Sequence, residues 1–206
     1  MPTATFGLAL LLALGPAPRF FAVNAVELDV RLEPADAQLA AKASLALVSR
    51  RVRPIHTLVL VFPAPFHDRA RIRTVWDETG LLAWHTEPAK DALLIHVTFA
   101  SPLAPLARRT VVVSFELDFA GLDSTAPAHL SDQEARLESS GWYPLPESAA
   151  ADRLRRLRLD VRLPRTWRVE RSGPIKHLRT GIQFAEYELK RKNIPAGRLL
   201  FRAYAE

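Results

Sequence analysis

No cysteine occurs anywhere in the 206 residues. That excludes a disulfide framework, a thiol nucleophile and any Cys-ligated zinc, iron–sulfur or blue-copper site. Glycine is scarce as well, with eight residues against 16 prolines. There is no glycine-rich phosphate loop and no Gly-x-Ser-x-Gly nucleophile elbow. None of the six histidines (His56, His67, His85, His96, His129, His177) lies three or four residues from another, so no helix presents two of them to one metal, and His-Glu-x-x-His is absent. No apolar run reaches the ~20 residues of a membrane-spanning helix.

What is present is an ordinary globular balance, 49% hydrophobic and 24% charged, with a net charge of +6. The charge is unevenly spread: residues 152–206 hold 15 basic and six acidic side chains, and residues 26–151 hold 12 basic and 16 acidic. Phe6–Leu14 is apolar apart from Gly7, and Val23-Asn24-Ala25 offers small or medium residues to a signal peptidase. The expectation is an export signal over residues 1–25, cleaved near Ala25, and a periplasmic or secreted mature chain over 26–206. Arg19 follows the apolar core and no Lys or Arg precedes it, which departs from the usual signal pattern. Without a cysteine after the run, a lipid-anchored form is not expected.

Apolar residues recur with period two. Val26, Leu28, Val30 and Leu32 alternate with Glu27, Asp29 and Arg31; Ala41–Val48 alternates more weakly; Thr57–Phe62 is apolar on both faces and reads as a central strand ended by Pro63 and Pro65. Ile72–Trp76 and Leu81–Thr86 flank Asp77-Glu78-Thr79-Gly80 and predict a hairpin with Trp76 and Trp84 as a cross-strand pair. Further alternation follows at Leu93–Phe99, Val111–Phe119 and Leu157–Leu163, with shorter strands at Thr166–Glu170, Ile182–Leu189 and Leu199–Tyr204. Residues 120–151 read as irregular, with Ser131-Asp132-Gln133-Glu134 as a capping box for a short helix. The pattern predicts an all-β fold: an antiparallel β-sandwich of about ten strands with little helix.

Chemistry is thin. His85 and His96 fall where they could face each other across a hairpin with Glu87 in reach of a shared metal; exposed or hydrogen-bonded histidines are the ordinary reading. Asp77/Glu78 sit in a turn and Glu116/Asp118 on a wet strand face, neither of which raises a carboxyl pKa for acid catalysis. The run Arg153, Arg155, Arg156, Arg158, continued by Arg162, is a candidate interaction surface. Its plain alternative is the charged outer face of a sheet, with arginine stems covering apolar surface. No exposed aromatics interleave with it, so nucleic acid is not expected as a partner. Trp142 and Tyr143, in the irregular stretch, together with Gln133 and Glu134, form a candidate loop site.

Gly141-Trp142-Tyr143-Pro144, then Leu157–Pro164 (LRLDVRLP), then Thr166-Trp167 and Arg171-Ser172-Gly173 occur in an order that resembles the N-terminal domain of the aminopeptidase-N-like (gluzincin) zinc metallopeptidases. The opening Val26-Glu27-Leu28-Asp29-Val30 and the stretch Val111–Leu122 (VVVSFELDFAGL) fit the same order. The resemblance covers roughly residues 26–206 at the level of pattern. It implies a saddle-shaped β-sandwich that packs on a thermolysin-like catalytic domain, which would begin near Glu206 and would supply the zinc ligands. In that family a Gln or Glu ahead of an Ala-Arg pair meets the substrate's free amine. Gln133 and Glu134 precede Ala135-Arg136, but the spacing departs from the family's Gln-x-Glu pattern.

The expected function is therefore noncatalytic, with no metal or cofactor in this chain: packing on a catalytic-type partner domain or another protein, as a free unit or as a piece of a longer metallopeptidase. The alternative is an exported binding or adhesion module that uses open sheet edges and its basic C-terminal region.

Overall fold

The computed structural model describes residues 20–123, 125, 126, 128–146, 149, 153–170, 175–195 and 198–206. Arg171-Ser172-Gly173 and most of the N-terminal apolar segment lie outside the described residues. The strands are β1 (Phe21–Glu33), β2 (Gln38–Ser49), β3 (Ile55–Pro63), β4 (Ala70–Asp77), β5 (Gly80–Leu81), β6 (Ala83–Ala89), β7 (Ala92–Leu103), β8 (Arg108–Asp118) and β9 (Ala128–Leu130). They continue as β10 (Glu134–Ser139), β11 (Leu145–Pro146), β12 (Arg153–Leu154), β13 (Arg156–Pro164), β14 (Trp167–Val169), β15 (Ile175–Thr180), β16 (Phe184–Arg191), β17 (Ile194–Pro195) and β18 (Arg198–Ala205). The all-β expectation holds. The eighteen segments exceed the ten expected because several are pairings of only two or three residues.

Eight strands make one large sheet in the order β15-β16-β13-β1-β2-β8-β4-β5. Two four-stranded sheets, β11-β3-β7-β6 and β14-β18-β10-β9, share its hydrophobic core, and β12-β17 is a short ribbon. Alternation explains the layering. Val26, Leu28, Val30 and Leu32 of β1, Val111, Val113, Phe115 and Leu117 of β8, and Leu157, Leu159, Val161 and Leu163 of β13 are all buried. Their neighbours Glu27, Asp29, Glu116, Arg158 and Asp160 take the opposite face, as a period of two requires. Edge-to-face contacts tie the layers: Phe62 of β3 to Phe115 of β8 at 5.1 Å, and Phe21 of β1 to Phe99 of β7 at 6.5 Å between ring centroids.

Four local readings are corrected. First, β1 starts at Phe21, ahead of Val26. The register shifts between Val23 and Ala25, so Asn24 is a bulge that moves the core-facing positions from odd to even numbers. Phe21, Val23, Val26 and Leu28 thereby all face inward. Second, Trp76 and Trp84 are not a pair. β4 turns at Gly80, whose φ of +120° suits glycine, and pairs with only two residues of β5. Leu82 is buried and its amide donates to Val75 O at 2.9 Å. The chain then crosses to the small sheet, where Trp84 opposes Val97. Third, Ser131–Glu134 opens no helix. It is the β9–β10 turn, in which the amides of Gln133 and Glu134 donate to Ser131 Oγ at 3.3 and 3.1 Å. Fourth, the large sheet is mixed, because β1 and β13 run parallel from Ala25↔Arg156 to Arg31↔Arg162.

Candidate interaction surface

Most of the arginine run is knitted into the outer face of the large sheet. Arg156 pairs with Glu27, two residues along β1 from its register partner Ala25. Arg158 Nε lies 2.9 Å from Asp160 Oδ2 and 3.4 Å from Glu188 Oε2. Arg162 donates to Glu186 at 2.8 Å, and Arg179 meets the same carboxylate from β15 at 2.7 Å. Arg153 donates to Asn193 O at 2.8 Å. Arg155 is exposed, and its amide donates to Asn24 O beside the bulge. The run is thus largely an intramolecular lattice of the kind expected on a wet sheet face, where each pair is worth about 0–1 kcal/mol.

A transverse row crosses that lattice. Register places Lys42, Asp29, Asp160, Glu188 and Lys176 side by side on β2, β1, β13, β16 and β15. Partial burial, with the neighbouring Glu188 and Asp29 charges, holds the Asp160 carboxyl above its ordinary pKa despite Arg158. Hydrogen bonds from Arg73, Arg179 and Lys190 hold Glu116, Glu186 and Glu188 below theirs. The signs oppose. A raised carboxyl costs stability at neutral pH and the cost is relieved as pH falls through its folded pKa. A lowered one contributes stability that is lost as pH falls through its folded pKa. Asp160→Asn is expected to stabilise the neutral protein by less than about 1 kcal/mol. The gain over the parent should shrink as the medium is acidified towards the carboxylate range, which melting curves across pH will read; a destabilised variant at neutral pH would contradict the sign.

The candidate loop site does not assemble. Trp142 and Tyr143 have no exposed surface and stack edge to face at 5.2 Å, which makes them core. Burial raises the Tyr143 hydroxyl far above the usual phenol range. Gln133 is exposed and Glu134 half-buried, both in the β9–β10 turn.

The histidine pair does meet. His85 on β6 opposes His96 on β7, with rings parallel within 5° and centroids 4.7 Å apart. His96 Nε2 sits 3.0 Å from Glu87 Oε2. Parallel stacked rings present faces to each other instead of converging lone pairs. Among the described residues no three His, Asp or Glu side chains are arranged to hold a metal.

Sequence reading passed over a second cluster. The large sheet brings the β2–β3 loop (Arg50, Arg51, Val52, Arg53) beside the β7–β8 loop, with Ser49 N donating to Ala107 O at 3.0 Å. Arg50 N donates to Phe20 O at 2.9 Å, and the Arg51 guanidinium lies 3.6 Å from the centre of the Phe20 ring. Val52 is 90% and Leu106 77% exposed at the loop tips. The signal was the basic stretch Arg50-Arg51-Val52-Arg53, an apolar residue held between cations.

No protein-family model and no curated protein matches the sequence. Solved structures do match. The chain superposes on the M1 zinc metallopeptidase from Deinococcus radiodurans with a TM-score of 0.71 and 16% identity, over 91% of this chain and 43% of that one. A mutant of that peptidase bound to a Tyr-Ser-Ala substrate gives a TM-score of 0.70 at 16% identity, over 90% and 43%. A two-domain M1 zinc metallopeptidase mutant bound to L-arginine gives 0.70 at 15%, over 91% and 43%. The fold is that of the M1 N-terminal domain. The chain spans less than half the length of these structures. No helix among the described residues is long and apolar enough to cross a membrane.

Proposed function

We propose that this chain is a noncatalytic β-sandwich that works by packing on a catalytic-type partner domain or protein, after export. The observation that supports this is the lopsided coverage: nine-tenths of this chain superposes on well under half of each M1 metallopeptidase. The remainder of such a protein is what the sandwich would pack against. Sheet-edge recruitment is the weaker reading, because the edges are blunted. β15 carries Lys176 and Arg179 around a register shift, and β6 carries Glu87 and Pro88.

The test has two arms. The purified chain, supplied with zinc, should release no amino acid from peptide substrates; zinc-dependent hydrolysis would overturn the noncatalytic reading. Coding DNA following the Glu206 codon and in neighbouring genes is searched for a His-Glu-x-x-His polypeptide, which is expressed separately. Sedimentation should then show an equimolar complex, and two species that sediment independently would overturn the packing role.

A further inference from the structure

We infer that the end of the large sheet where β1 begins is a docking surface for an anionic lipid bilayer. Topology gathers the cations. β1 and β13 start at this end, β2 and β16 finish there, and β8 sets out from it, as the pairings Phe21↔Ser49, Val48↔Arg108, Ala25↔Arg156 and Leu157↔Arg191 require. The loops therefore place Arg50, Arg51, Arg53, Arg108, Arg155 and Lys192 on one rim. Arg51, Arg53, Arg108, Arg155 and Lys192 are exposed, and among the described residues no carboxylate is shown paired with Arg53, Arg108, Arg155 or Lys192. The nearest acids are already engaged: Glu27 by Arg156, and Asp77 and Glu78 by Arg109. The opposite end is mixed: Glu33 and Asp68 there lie beside Arg31 and Arg69, and Asp36, Asp118 and Asp132 share it with Arg165.

Two further observations favour a bilayer over a soluble polyanion. Val52 and Leu106 stand out from the cationic rim, each almost bare of protein contact. Leu106 holds a left-handed backbone, φ +58°, at that tip, a conformation rare for a leucine. Aliphatic tips within a ring of arginines suit an interface of headgroup phosphates over acyl chains, whereas a polyanion offers the tips nothing. The apolar run Phe6–Leu14 also leads into this same end. Only residues 15–19 separate it from Phe20, a reach of at most about 18 Å at ~3.6 Å per residue. In the uncleaved chain, a membrane that took up that run would lie within reach of the cationic rim. Each cation near such a surface contributes about 1 kcal/mol, or about fivefold.

The test is flotation of the full chain with phosphatidylcholine vesicles, with and without phosphatidylglycerol. Stronger binding to the anionic vesicles, weakened between about 0.1 M and 1 M salt as the screening length falls from ~10 to ~3 Å, is expected. The triple reversal Arg53→Glu, Arg108→Glu, Arg155→Glu should lower anionic-vesicle affinity roughly a hundredfold. Val52→Asp with Leu106→Asn, the latter a residue at ease in the left-handed region, should weaken it without removing the salt dependence. Melting curves of both variants, matched to the parent's, establish that each is folded before its binding is read. Equal binding to neutral and anionic vesicles assigns attachment to the apolar run alone and overturns the proposal. So does binding to heparin or DNA without vesicle binding, and so does a folded triple variant that floats like the parent. None of these outcomes bears on whether a peptidase-like partner exists.

Discussion

A chain that begins at Val26 is expected to melt far below one that begins at Phe20, or not to fold. The shorter chain lacks the Phe21 and Val23 side chains, which are 5% and 1% exposed in the core. It also loses the pairings Phe21↔Ser49, Ala22↔Val48 and Val23↔Leu47, leaving the end of β2 with no partner on that side. Deleting a buried Phe side chain costs ~3–5 kcal/mol, and losing a buried Val adds about 1.5–3. Against a total stability of ~5–15 kcal/mol for a domain, the loss is most of the margin. Phe99 would be left without its edge-to-face partner, and the core would open to water at the cationic end. Thermal and urea unfolding of the two chains measures the difference; melting points within a few degrees of each other would show that the first five strand residues carry no load. The expectation bears on export. A signal peptidase cutting after Ala25 would sever β1 just past its bulge and remove Phe21 and Val23 from the core, so the export we propose places the cut ahead of Phe20.

That bulge also marks how far the sequence could be read. Strands with an unbroken period of two, such as β8 and β13, stand out because every second side chain is drawn into one core. At Asn24 the parity changes, so Phe21 and Val23 fall out of step with Val26 and Leu28, and a periodicity argument starts the strand late. β15 is missed for a different reason. Its residues Ile175–Thr180 are exposed after the first, so no apolar period exists to find. The crossing from β5 to β6 is equally silent, because Leu82 continues an ordinary hairpin sequence while its side chain turns into the core. The parallel pairing of β1 with β13 depends on contacts across more than a hundred residues of chain, which no local pattern records. Of the candidate sites, the arginine run was legible as the charged outer face of a sheet. The acidic partners Glu27, Asp160 and Glu186 that absorb it come from three strands, and their registry emerges only once those strands are paired. Trp142 and Tyr143 are large and apolar, and core was their natural destination; the irregular chain around them obscured it.

Arg109→Met is the second change expected to have a large effect. Arg109 shares the parity of Val111 on β8 and so points to the core side of the large sheet, where its side chain is only 9% exposed. It reaches the small sheet: NH1 donates to Ser101 O at 2.9 Å, NH2 to Ser101 Oγ at 3.3 Å, and the guanidinium lies 4.9 Å from the centre of the Phe99 ring. Across the large sheet it faces Asp77, fully buried at the side chain, with NH1 3.4 Å from Oδ2. Asp77 Oδ1 is held by the amide and hydroxyl of Thr79 at 2.7 and 2.5 Å, which fixes the carboxylate in place within the β4–β5 turn. Removing the arginine leaves that carboxylate buried without its cation, and breaking one partner of a buried pair costs about 3–5 kcal/mol. Replacing both partners removes the stranded charge, so Arg109→Met with Asp77→Leu should be markedly more stable than Arg109→Met alone. Urea unfolding of the parent, the two single variants and the double variant gives the coupling directly. A single variant that loses less than about 1 kcal/mol, the scale of an exposed pair, would mean that the guanidinium is not the pin joining the two sheets at this end.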